Sequence, residues 1–374
     1  MKEIQTEIQY DSPYLPILLR QAREAKGWSQ ESVAHGLCAV SYLSKIENGR
    51  IVPAPDLAHA LARRLDLMLE DGARTKIAEK LDTFYDHKIV AFSSEEIASM
   101  ERSTLVLDAK LVLYQDGELK DLRYYERFFD ARQRRKYDEL RFWKGEMSCQ
   151  QFLERYADFE AYTFLAETCY RHHDLFASLD LWHKGLEMAQ KAMNVDQMLE
   201  ALSGEVVTRG ILYDVEGMLE VAGQARRLAL QIGSDKALDW LCYNVGASLL
   251  EADRIDEALD HLLACRSESD LLHHKLALCY EKQGKIDRAQ EHIERARQLD
   301  SSIFYEVVVY RLTHPDHLRE DVYKKMLEDC LQEAQDHYHR GFFLFHLRYM
   351  LDVLEARHEY KEAYGLLKRY FFTI

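Results

Sequence analysis

From Asp56 to His314 the chain carries no proline, and its Leu, Ala, Glu, Arg and Lys fall in short apolar and polar groups with helical spacing. That spacing gathers apolar side chains on one face of a 3.6-residue period, which predicts a run of consecutive amphipathic helices. Alternation of period two is missing. The nearest β-branched run, VVVY at 307–310, sits in a helical context. The expected fold class is all-α. Pro13, Pro16, Pro53 and Pro55 crowd the first 55 residues, with Pro315 the only other, and this sets the N-terminal segment apart.

Within the long helical stretch the pattern repeats. RIDEALDHLLACR (254–266) aligns with KIDRAQEHIERAR (285–297), 31 residues later. The helices before them, CYNVGASLL (242–250) and HHKLALCYE (273–281), match in the same register. Weaker copies are DLFASLDLWHKGL (174–186), EYKEAYGLLKRYF (359–371) and a degenerate VEGMLEVAGQARRLALQIG (215–233). The two clear units place Gly246 or Ala277 on the first helix and Ala258 or Ala289 on the second. Small side chains there let antiparallel helices approach closely, while larger neighbours bury against the next unit. The arrangement resembles the tetratricopeptide repeat, whose period is about 34 residues. That resemblance implies a right-handed superhelix with a concave wall of first helices.

The first 70 residues read differently. LPILLRQAREAKG (15–27) turns Leu18, Leu19 and Ala22 inward. SQESVA opens a second helix, with Ser29 as N-cap and Val33, Ala34 and Leu37 as its buried side. A short turn over 37–39 leads into a helix from Val40 to Asn48 whose Leu43 and Ile46 face the core. Gly49 then permits the positive φ that commonly closes a helix. PDLAHALARRLDL (55–67) adds a fourth, with Leu57, Ala60, Leu61 and Leu65 inward. Two short helices at an angle, the second exposing small polar groups and a lysine, describe a helix-turn-helix. The expected division is a helix-turn-helix domain over 1–70, a linker helix over 71–90 and the repeat domain over 91–374.

Charge refines this picture. The formal net charge is −15, which by itself argues against a polyanionic partner. Residues 1–70, however, hold 8 Lys and Arg against 9 Asp and Glu, so nearly all the excess acid lies beyond them. A small DNA-binding unit needs a local basic face rather than a basic protein. The seven cysteines are scattered and lack any CxxC, which fits a reduced, cytoplasmic compartment better than a disulfide framework. There is no apolar run long enough to span a bilayer, so no membrane partner is expected. Phosphate loops, HExxH and GxSxG are absent, and no enzymatic activity, cofactor or metal is expected.

LRQAREAKGWSQESVA followed by SYLSKIENGR resembles the Cro/XRE type of helix-turn-helix. GLCAVSYLSKIENG more narrowly is similar to the RRNPP family of peptide-pheromone regulators, one branch of which has a shorter turn and a cysteine where Cys38 stands. The resemblance implies a quorum-sensing transcription regulator, a homodimer that binds a double-stranded DNA operator and a short linear signalling peptide. It puts Val40, Ser41 and Lys45 where base edges are read, and Ser29, Gln30, Tyr42, Asn48 and Arg50 where phosphates are held. It puts Asn244 where a peptide backbone is bound. Register along the first helices adds Tyr243, Lys275, Arg209, Glu167, Tyr170, Arg171 and Glu251 to the peptide-binding candidates.

Two other readings stay open from the residues alone: a protein-interaction switch or phosphatase acting on a response regulator, as in the Rap branch, and a peptide-independent DNA binder with a protein co-regulator. Several further features have plain structural explanations. His172-His173-Asp174 falls at an expected inter-helix turn, and Cys265 and Cys279 occupy packing slots of the repeats. RYYERFF (123–129) reads as core, and Arg132, Arg134, Arg135 and Lys136 as a solvated helix face or a contact with DNA or a partner domain.

Overall fold

A computed structural model describes residues 11–67, 74–86, 90–338 and 340–371, and the regular structure among them is helical. The chain forms two compact units, Met1–Arg155 and Tyr156–Ile374.

The first unit begins with α1 (Leu15–Ala25), α2 (Gln30–Ala34), α3 (Val40–Glu47) and α4 (Pro55–Arg64). Ser29 caps α2 by accepting a hydrogen bond from the Ser32 amide, and Gly49 closes α3 at φ +64°. Leu15, Leu19, Val33, Ala34, Leu43, Ile46, Ala58, Leu61 and Leu65 make one core. Burial of each of the larger of these side chains contributes about 1.5–3 kcal/mol. Two expected core positions move. The core alanine of α4 is Ala58, with Ala60 half-buried. Leu18 is buried with Ile17 in a neighbouring core rather than with its own domain.

That neighbouring core belongs to α5 (Arg74–Tyr85), α6 (Ser94–Glu101), α7 (Val106–Gln115), a short 3-10 turn at Glu126–Phe128, α8 (Ala131–Trp143) and α9 (Cys149–Arg155). Ile77, Leu81, Phe84, Met100, Val106, Phe128 and Tyr137 surround Ile17 and Leu18, so α1 serves two cores at once. The first unit runs to Arg155 and so holds both the helix-turn-helix helices and this bundle; residues 68–73 and 87–89 of the expected linker lie outside the described residues. Of RYYERFF, Phe128 and Phe129 are core, Tyr124 and Tyr125 pack at its edge, and Arg123 and Arg127 are exposed. The basic cluster that follows it is largely consumed within the unit. Lys136 is buried and donates to the Phe84 carbonyl, Arg134 donates to the Phe129 carbonyl, and Arg132 pairs with Asp82 while stacking on Tyr85.

The second unit alternates first and second helices. The first helices are α10 (Phe159–Arg171), α12 (Val195–Ile211), α14 (Asp235–Glu251), α16 (Asp270–Lys282), α18 (Ile303–Thr313) and α20 (Arg340–Ala356). Their partners are α11 (Leu175–Lys191), α13 (Val215–Gln231), α15 (Ile255–Leu263), α17 (Ile286–Leu299), α19 (Asp321–His337) and α21 (Tyr360–Phe371). Each helix packs on the next, and α10, α12, α14, α16 and α18 also touch in series, as stacked helical repeats require. Gly246 shows why small residues recur: a Cβ there would stand 2.7 Å from Leu262 Cγ and 3.1 Å from the Ala258 carbonyl oxygen. His173, Tyr213, Asp253, Gly284 and His358 each take a positive φ just after a first helix, ending it with the same left-handed turn. The α18–α19 pair departs from this rule. His314 after α18 has φ −120°, and Pro315 and a 3-10 turn at His317–Arg319 make the connection. Among the described residues, no helix is long and apolar enough to cross a membrane.

Candidate nucleic-acid interface and inner-wall cavities

The two sides of α3 have opposite chemistry. Leu43 and Ile46 are fully buried, whereas Val40, Ser41 and Lys45 are exposed, with Val40 at 43%. An exposed valine at a helix start gains nothing from burial, but its methyl groups suit contact with a thymine methyl. Ser41 offers a hydroxyl that donates or accepts, and Lys45 a cation. Neither Lys45 nor Arg50 has a carboxylate partner among the described residues, whereas Arg20, Arg23 and Lys26 nearby are each paired with one. Tyr42 is half-buried on the core edge.

Glu47 fixes the angle between the helices. Its side chain is 2% exposed and accepts from Arg23 Nε at 2.7 Å, from Arg23 Nη2 at 3.0 Å and from Gln30 Nε2 at 2.8 Å. One carboxylate on α3 thus ties α1 and α2 together. Two of the expected phosphate-binding side chains are committed internally. The Gln30 amide donates to Glu47, and Asn48 Nδ2 donates to the Ser44 carbonyl at 2.7 Å. Ser29 serves its helix as N-cap and also contacts Ser32 Oγ at 3.0 Å. Arg50 remains exposed.

In the second unit, Glu167, Tyr170 and Arg171 of α10 line a cavity of ≈ 630 Å³ together with Trp182, Gly204 and Trp240. Tyr170 and Arg171 also border a second cavity of ≈ 470 Å³, closed by Tyr338, Phe343 and Arg369 from the far repeats. A volume of several hundred Å³ lined by aromatics and a few charges suits a ligand of several residues. Desolvation raises the Tyr170 phenol, so it stays a neutral donor.

The other inner-helix candidates occupy different surroundings. Asn244 is half-buried, and its Nδ2 donates to the Trp240 carbonyl one turn earlier. Arg209 is held by Glu205, at 2.7 Å, and by Asp214. Tyr243 packs against the repeat core. Lys275 is only 2% exposed, its Nζ 3.6 Å from Glu251 Oε1 and 4.4 Å above the Phe345 ring. Burial lowers the Lys275 ammonium and raises the Glu251 carboxyl, so both are driven toward their neutral forms. These residues brace the wall rather than line either cavity. Trp182, Gly204, Lys236 and Trp240, which do line one, were not among the expected residues. Trp182 lies on a second helix and Trp240 on a first, so repeat register gave no signal for either.

Residues 19–71 match the family model described as "Helix-turn-helix". No curated protein matches the chain. One solved structure, Bacillus thuringiensis PlcR in complex with the peptide PapR7 and DNA, aligns at 14% identity over 76% of this chain and 99% of that one, with a TM-score of 0.32. A likeness of that degree transfers no function. The helix-turn-helix domain rests on its own residues and on the family match.

Proposed function

We propose that the chain is a DNA-binding transcription regulator of the RRNPP type, in which a helix-turn-helix head reads an operator and the first-helix wall of the repeat unit binds a short linear peptide. The observation that carries the DNA reading is α3 itself. Its buried side is locked by Leu43, Ile46 and Glu47, and its outer side presents Val40, Ser41 and Lys45 with no internal partner for the cation among the described residues. In this reading those three side chains meet base edges in the major groove, and Arg50 meets a phosphate. A single such helix reads one half-site, so the regulator acts as a homodimer on a two-fold site.

The peptide reading is supported by the paired cavities that share Tyr170 and Arg171. A carboxylate, a guanidinium and aromatic rings along one wall supply both backbone-directed hydrogen bonds and side-chain pockets for an extended chain. Peptide binding changes DNA affinity only as far as the peptide prefers one of two arrangements of the repeats.

Selection of duplexes from a random pool by the full-length protein tests the DNA reading, with Lys45→Ala and Ser41→Ala run alongside. Enrichment of a two-fold motif whose bases change in the variants supports it; no enrichment ends it. For the wall, Arg171→Ala lowers affinity for peptides recovered from spent culture medium while leaving DNA binding without peptide unchanged.

A further inference from the structure

We propose that Arg127, far from the helix-turn-helix in sequence, is a second-site phosphate contact that extends the DNA-binding surface onto the helical bundle of the same unit. This rests on the DNA-binding reading above and adds to it a residue outside the matched helix-turn-helix residues, 19–71.

The geometry begins at the C-terminal end of α3. Tyr124 Oη donates to the Glu47 carbonyl at 2.6 Å, satisfying one of the carbonyls a helix end leaves free. The Phe128 ring fills the space beside Gly49, where any Cβ would overlap it. The segment around the 3-10 turn is therefore seated directly against the last turn of α3 and the glycine that precedes Arg50.

The charges on this segment are unequal in use. Two guanidiniums stack on the Tyr124 ring, Arg20 at 4.5 Å and Arg127 at 4.6 Å from its centroid. Arg20 is neutralised by Glu24 at 2.8 Å. Arg123 is neutralised by Asp121 at 2.7 Å. Arg127 is exposed, donates Nε to the Tyr124 carbonyl at 3.0 Å and stacks 5.3 Å from the Phe128 centroid. It has no carboxylate partner among the described residues.

The stacked ring and the backbone acceptor hold the Arg127 guanidinium in place while leaving its outward nitrogens available. A guanidinium fixed in that way loses little side-chain freedom on meeting a phosphate, and its fork matches the phosphate oxygens. With Lys45 and Arg50 it makes three cations, free of carboxylates, around one end of α3. An α3 lying in the major groove has the sugar–phosphate strand passing its ends, where Arg127 would meet it. Such a contact strengthens binding to every sequence and specifies none.

The test uses full-length protein and a mixed-sequence duplex about three helical turns long, with affinity measured by fluorescence anisotropy across a salt series. Arg127→Met keeps the apolar stem and removes the charge, whereas Arg127→Lys keeps the charge. The expected result is a log K against log salt slope shallower by about 0.9 in R127M and close to wild type in R127K. Thermal unfolding should be unchanged in both, because the stem still covers Tyr124. An R127M slope and affinity equal to wild type would overturn the proposal while leaving the DNA reading intact. A wild-type protein that binds neither this duplex nor any selected one would instead remove the reading on which it rests. Equal losses in R127M and R127K, accompanied by a lower melting temperature, would assign Arg127 a packing role and also overturn it.

Discussion

Replacing Glu47 by alanine is the sharpest perturbation of the head. The substitution removes an acceptor of three hydrogen bonds that is 2% exposed, and it takes from Arg23, whose side chain is 13% exposed, its shorter carboxylate partner. Breaking a buried ion pair on one side costs about 3–5 kcal/mol because the remaining charge is left without compensation. Arg23 retains the Glu24 carboxylate at 3.5 Å, a carbonyl acceptor at Trp28 and some solvent access, so the low end, about 3 kcal/mol, applies. In a unit of this size each kcal/mol moves the midpoint by about 2–4 °C, so the expected drop is about 6–12 °C. Thermal unfolding followed by circular dichroism measures it. A double-mutant cycle with Arg23→Met isolates the pair, and the coupling should reach about 2 kcal/mol. Operator affinity falls as well, since α2 and α3 lose the tie that sets their angle. A midpoint within about 2 °C of wild type, or a cycle showing no coupling, would refute the view that Glu47 organises the helix-turn-helix.

Other outcomes follow from the same structure. Lys45→Ala should weaken binding to a selected duplex and make the salt dependence shallower by about 0.9, with an unchanged melting curve; an unaltered slope counts against a phosphate or base contact. Gly246→Ala should destabilise the repeat unit by about 1–3 kcal/mol through overpacking against Leu262 and the Ala258 carbonyl, partly offset by better helix propensity; chemical denaturation reads the net loss, and a stabilised variant would contradict the packing. His274 and His346 are buried, and desolvation holds both well below the usual 6.5. The unfolded chain therefore binds more protons than the native one as pH falls through 6.5, and stability declines with acid by up to about 1.4 kcal/mol per pH unit for each histidine. Glu251, raised by burial, works in the opposite sense, its contribution present below its ordinary 4.5 and lost as pH rises through its raised value. Melting temperatures between pH 7.5 and 5.5, roughly a unit either side of an ordinary histidine, should fall with acid and fall less in His346→Gln; a flat wild-type profile would contradict this.

The helices of the head were legible because their signals are local. Ser29 as a cap, Gly49 as a stop and the Leu43–Ile46 spacing each act within one turn. The repeat register was legible for α14–α17, where Gly246, Ala258, Ala277 and Ala289 mark close approaches. It was not for α18–α19, whose connection through Pro315 and a 3-10 turn breaks the shared pattern. Nor did the sequence show that α1 serves two cores, because Ile17 and Leu18 look like any other buried pair until their partners are known. Candidate sites fared according to the same rule. Exposure on α3 follows from helical period alone, so Val40, Ser41 and Lys45 emerged where expected. Which inner-helix side chains line a cavity depends on how distant repeats close around it. Lys275, facing Glu251, is walled in by Phe345 and Phe342 of α20, a contact that the register of a single repeat does not encode.

Whether the outer side of α3 reads base pairs is settled most directly by selection from a random duplex pool with full-length protein, repeated with Ser41→Ala and Lys45→Ala. The account predicts a two-fold consensus for the wild type and a relaxed base preference at matching positions of both half-sites in each variant. An unchanged consensus in both variants, or no enrichment by the wild type, would contradict it.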